Sequence, residues 1–92
     1  MKDAFERRRV VQRTFLGRIS MDESDSVGAD NLRNLTRSGY RPRVFLNGIE
    51  QRLIVSADPD AGTVRGVFAG GGSGILELKG NVSIRLERMD GR

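Results

Sequence analysis

The sequence predicts a mainly β domain, α+β in class: a small antiparallel β-barrel or sandwich-like sheet of about five strands with an N-terminal helix. Three observations predict it. Asn47-Gly48 stands between two apolar runs, and Asn-Gly is a strong hairpin signal because a type I′ turn needs positive φ at both central residues. Asp58-Pro59-Asp60-Ala61-Gly62 suits a type I turn closed by glycine in the left-handed region. Near the C-terminus Val82, Ile84 and Leu86 alternate with Ser83, Arg85 and Glu87, the period of a half-buried strand.

The helix is expected over residues 3–16. Asp3 can cap it, Glu6 follows at the capping-box distance, and Gly17 can stop it. Ala4, Phe5, Val11, Phe15, Leu16 and Ile19 fall on one side, although Arg8 and Gln12 interrupt that stripe and Val10 lies outside it. Residues 20–29 read as a polar, acidic linker with little to bury. A short second helix is expected from Asp30 to Ser38, capped by Asp30 and ended by Gly39, with Leu32 and Leu35 sharing a face. Pro42 then forces Arg41 into extended backbone.

From Arg41 to Phe68 the two turns divide the chain into three strands of one antiparallel meander. Leu53, Val55 and Ala57 are expected on its apolar face and Ile54 on a mixed face, free to cover a helix or a partner. Residues 69–74 form a glycine-rich loop, 75–78 a short strand, Lys79-Gly80-Asn81 a turn and 82–87 the last strand. This gives an N-terminal helix and linker over 1–40, an antiparallel β domain over 41–88 and a frayed tail over 89–92.

Composition excludes several kinds of chemistry. The 92 residues include neither cysteine nor histidine, so disulfides, Cys/His zinc sites, histidine-based triads and a histidine pH switch are absent. No apolar run approaches the ~20 residues of a membrane span, and no secretory signal is evident, so the expected location is cytoplasmic or virion-associated. The net charge of +4 is uneven. Residues 1–20 hold six basic and two acidic groups, residues 21–30 hold four acids, and residues 31–43 hold four arginines and no acid. Residues 44–92 carry six of each sign, so the whole excess lies in the first 43 positions.

No motif makes the chain an enzyme. The glycine run 70–74 lacks the Lys-Ser/Thr pair and the following helix of a phosphate loop. Asp58 and Asp60 lie in a solvated turn, which supplies no cleft for general acid/base work. The acids of 22–30 miss calcium-loop spacing. No cofactor, metal or small-molecule substrate is therefore expected. Arg65-Gly66-Val67-Phe68 approaches an RNA-recognition strand without its stacking aromatic, and of Phe45 and Phe68 at least one is expected in the core.

The segment RVFLNGIEQRLIVSADPDAGTVRGVF, with a glycine loop and NVSIRLER after it, resembles a type of small β-rich protein encoded in tailed bacteriophage and prophage genomes. The matching residues are Asn47-Gly48 and Ala57-Asp58 to Gly62. The resemblance covers residues 41–88 and implies no catalytic residues. Taken with the composition, it implies a non-enzymatic structural, assembly or interaction protein acting through self-association or another protein partner. Phe5, Val11, Phe15 and Ile54 are the candidate contacts. The alternative is a basic nucleic-acid-associated accessory protein, with Arg7, Arg8, Arg9, Arg33, Arg37, Arg41 and Arg43 on phosphates.

Overall fold

The computed structural model describes residues 12–67 and 74–88. Along the chain these form β1 (Gln12–Phe15), β2 (Ile19–Ser20), α1 (Ser26–Arg37), β3 (Tyr40–Leu46), β4 (Ile49–Gln51), β5 (Ile54–Asp58), β6 (Thr63–Gly66), β7 (Leu76–Lys79) and β8 (Val82–Arg88). The strands make two antiparallel four-stranded sheets, ordered β1-β8-β3-β4 and β2-β5-β6-β7, rather than one closed cylinder. One core joins them: Val44, Leu46, Val82, Ile84 and Leu86 come from the first sheet, and Ile19, Ala57 and Val64 from the second. Phe15, Leu32, Leu35, Tyr40, Ile54 and Leu78 pack around it.

Local chemistry sets both turns. Asn47 and Gly48 have φ of 53° and 83°, as a type I′ hairpin requires, and join β3 to β4 with Leu46 opposite Ile49. In the β5–β6 turn the Asp58 carboxylate accepts from the backbone N–H groups of Asp60 and Ala61, and Gly62 closes the turn at φ 70°. The β8 alternation is realised in full, with Val82, Ile84 and Leu86 buried.

Elsewhere the fold departs from expectation. Gln12–Phe15, placed in the N-terminal helix by its periodicity, is a strand paired with β8 from Gln12↔Glu87 to Phe15↔Ile84. Tertiary pairing overrides the local helical pattern here. The rest of the expected helix, with Phe5, Arg7, Arg8, Arg9 and Val11, lies outside the described residues, as do 68–73 and 89–92. Arg88, one residue past the expected last strand of 82–87, ends β8 opposite Tyr40.

The acidic linker is largely structured. Asp22 turns the chain by accepting from the Ser24 backbone and hydroxyl. Asp25, not Asp30, caps α1 by accepting from the Gly28 N–H at 3.2 Å, so the helix starts at Ser26 and buries Gly28 and Ala29. Gly39, at φ 89°, follows its end as predicted. The boundary at residue 40 also disappears: β1 and β2 complete one sheet each.

The expected meander is broken in its middle strand. Leu53 adopts φ 57°, and the chain passes there from β4 in the first sheet to β5 in the second. Leu53 is consequently exposed rather than aligned with Val55 and Ala57 on a core face, and the β5–β6 register shifts between Ile54 and Ser56. Three other connections change sheets, one of them α1 between β2 and β3 and two of them short corners. Residues 16–18 connect β1 to β2, and Gly80-Asn81 connects β7 to β8. At the second corner the Gly80 N–H still bonds to Gly62 of the second sheet. Asn81 already bonds to Asn47 of the first, donating to its side-chain oxygen and accepting from its N–H.

Candidate interaction surface

Splitting the middle strand opens a groove where the two sheets diverge. It holds about 500 Å³, and Ile19, Leu32, Val44, Ile54 and Val55 give it aliphatic walls. Met21 and Leu53 stand at its mouth, 68% and 73% exposed. Met21 is fixed there because its N–H donates to the Val55 carbonyl at 2.7 Å, extending the β2–β5 ladder by one residue. Leu53 is fixed by the left-handed corner and by its own carbonyl, which accepts from the Val67 N–H. The rim is polar: Arg43 donates two hydrogen bonds to the Glu50 carboxylate, one of them 2.8 Å from Nε. That contact holds the Glu50 carboxyl below its ordinary range and raises the Arg43 guanidinium above its own.

The outward face of the first sheet carries a second constellation. Arg43 lies opposite Arg85 across β3 and β8, and Arg41 lies opposite Glu87. Arg41 donates to Glu87 at 3.0 Å, and Arg43 approaches the same carboxylate at 3.8 Å. Arg85 stacks over the Phe45 ring, 4.8 Å from its centroid. Phe45 is thus half-buried on the outer face and not a core residue. Its register partner Glu50 was the available clue, since directly opposed residues share a face and a glutamate marks the wet one.

Of the predicted contact residues, Phe5 and Val11 lie outside the described residues, and Phe15 and Ile54 are not gathered into one site. Phe15 is on β1 and Ile54 on β5, each half-buried against the core and in different sheets. Of those two, Ile54 lines the groove and Phe15 does not, and Met21 and Leu53 were missed. Among the arginines proposed for phosphate, Arg33 pairs with Glu23 and Asp30 on the helix side. Arg37 is exposed in the last turn of α1, where a cation complements the helix dipole. Arg41 and Arg43 pair with Glu87 and Glu50.

Among the described residues no buried side-chain nitrogen or oxygen lacks a partner, and no helix is long and apolar enough to cross a membrane. Comparison with protein families, curated proteins and solved structures returned no match.

Proposed function

We propose that this chain is a non-enzymatic structural or interaction module that works by binding protein, either a second copy of itself or another partner. The observation that carries this reading is the groove mouth, where Met21 and Leu53 hold apolar surface in water at the corner between two sheets. A protein surface can cover such a groove, and Arg43 at its rim is already paired with Glu50. The phage- or prophage-type part of the reading is supported by the Asn47-Gly48 and Asp58–Gly62 turn pattern. A module of this kind would act in the cytoplasm during assembly or within a particle.

Molar mass by size-exclusion chromatography with light scattering, at low and high salt, tests it. A mass above 10.2 kDa that survives high salt supports apolar association. A strict monomer whose groove also leaves an apolar fluorescent dye unchanged would remove the reading.

A second reading, nucleic-acid association, is supported by Arg41, Arg43 and Arg85 sharing one outer face with Phe45. Glu50 and Glu87 already neutralise two of these arginines, which puts it second. It requires affinity that falls steeply with salt, by a log–log slope of about −0.9 per phosphate contact on duplex DNA. Absence of binding to duplex or single-stranded DNA or RNA at low salt excludes it.

A further inference from the structure

We infer that the chain self-associates through the outer edge of β7, antiparallel to the same strand of a second copy, in a register centred on Leu78. The inference rests on the self-association reading above and specifies its surface. Among the described residues strand β7 ends the order β2-β5-β6-β7. Of its four residues only Leu78 is half-buried; Leu76, Glu77 and Lys79 are exposed. The edge is built for pairing by the alternation of its backbone groups. In the β6–β7 ladder Val64 faces Leu78 and Gly66 faces Leu76, and the Gly80 N–H bonds to the Gly62 carbonyl at 2.9 Å. Hydrogen-bonded and non-bonded pairs alternate along an antiparallel ladder. Leu76 and Leu78 therefore turn their N–H and C=O groups toward β6. Glu77 and Lys79 turn theirs to the open edge.

That parity limits the registers, and charge chooses among them: centring on Leu76 keeps parity but sets Glu77 opposite Ile75, with no charge pair. A register centred between residues would match an outward-facing backbone with an inward-facing one, so its hydrogen bonds cannot form. A register centred on Glu77 or on Lys79 puts like charges directly opposite, which is unfavourable. Centring on Leu78 sets Glu77 opposite Lys79 of the second copy, and Lys79 opposite its Glu77. Four backbone hydrogen bonds and two opposite-charge pairs then form together. Leu78 meets its own copy on the core side, and Leu76 faces Gly80, which has no side chain to obstruct it. The ladder stops there because both backbone groups of Asn81 are committed to Asn47. Charges on a sheet edge ordinarily deter pairing. In this register they are complementary. Edges this short bury less than the about 1,200 Å² at the low end of stable interfaces, so the dimer is concentration-dependent.

The chain has no native cysteine, so single cysteine variants report the geometry directly. In a non-bonded antiparallel pair the two Leu78 Cα atoms lie about 4.5 Å apart, within disulfide reach. The two Leu76 positions are four residues out of step, roughly 13 Å at 3.3 Å per residue. Under mild oxidation Leu78→Cys is expected to give a covalent dimer, and the more exposed Leu76→Cys is not. Equal cross-linking of both, or none at Leu78, overturns the register.

Charge variants give an independent check. Glu77→Lys and Lys79→Glu are each expected to be monomeric by light scattering, and their equimolar mixture to recover a dimer. A mixture that stays monomeric while the wild type dimerises overturns the pairing. The two claims fail separately. A wild-type oligomer that answers to neither set of variants refutes the β7 edge and leaves association through another surface. A wild type that is monomeric at every concentration refutes the edge and self-association together.

Discussion

Strands β7 and β8 follow one another in the chain with the same alternation of apolar and polar side chains, and their fates differ. Strand β8 lies between β1 and β3, and Ile84 at its centre is 0% exposed. Among the described residues strand β7 has one neighbour, and Leu76 is 40% exposed. Alternation determines which side chains share a face. The number of flanking strands, and the layer packed over that face, determine whether the face is dry.

The largest expected effect tests this contrast directly. Ile84→Ala should lower unfolding free energy by about 3 kcal/mol in urea titration, the range for a buried isoleucine in a site that cannot collapse. Leu76→Ala should cost about 0.5 kcal/mol or less at a concentration where the chain is monomeric. Equal losses would break the comparison.

A smaller effect is expected where the chain leaves β7 for β8. Asn47 tolerates its φ of 53° and accepts from the Asn81 N–H at 2.9 Å. Asn47→Ala should cost about 2 kcal/mol, summing about 1 for a left-handed non-glycine residue and about 1 for the hydrogen bond. Asn47→Gly restores the conformational freedom, so it should recover roughly half of that loss. Thermal or urea unfolding of the pair separates the two contributions.

The contrast extends to the other edge of the second sheet, because α1 packs on β2, while among the described residues nothing packs on the outer edge of β7. Asp25 anchors that helix by accepting from Arg18 and from the Gly28 N–H. Arg18 first, then the backbone bond, hold its carboxyl below the ordinary range. A carboxyl depressed on folding stabilises above its unfolded value, near 3.9, and loses that contribution as pH falls through the folded value. Asp25→Asn should therefore lower the melting midpoint slightly at pH 7, and the difference from wild type should close in acid. A difference that persists unchanged at low pH would mean that Asp25 does not act through its charge.

The smallest effect belongs to the outer face of the first sheet. Glu50→Gln should lower the midpoint only slightly, since a half-buried ion pair still open to solvent contributes little. It should strengthen low-salt binding to nucleic acid only if Arg43 and its neighbours serve that role.

The sequence was most legible where chemistry is local. Asn47-Gly48, Asp58 to Gly62 and the Val82–Glu87 alternation each carry their own conformational cause, and each forms as expected. It was least legible where partners are distant. Nothing within Gln12–Phe15 announces β8, which lies some seventy positions later. A leucine at positive φ has no local signature, so the break at Leu53 and the groove it opens were hidden in an apparently continuous strand. Two misses had readable clues. Asp25 stands three residues before Gly28, at N-cap spacing, and Glu50 opposite Phe45 marks that ring's face as the wet one.

The place of β8 between β1 and β3 also bears on the order in which this molecule can be made. A chain emerging from synthesis at about 5–20 residues per second can close the β3–β4 and β5–β6 hairpins early. The first sheet, however, lacks its central ladder until residue 88 has been added, and β1 waits without a partner throughout. Pairings this remote in sequence place the fold among the slower small domains, in the millisecond-to-second range. Loss of even the last few residues of β8 would then strand both ends of the chain at once, because the strand that completes the sheet is also the one that recruits its beginning.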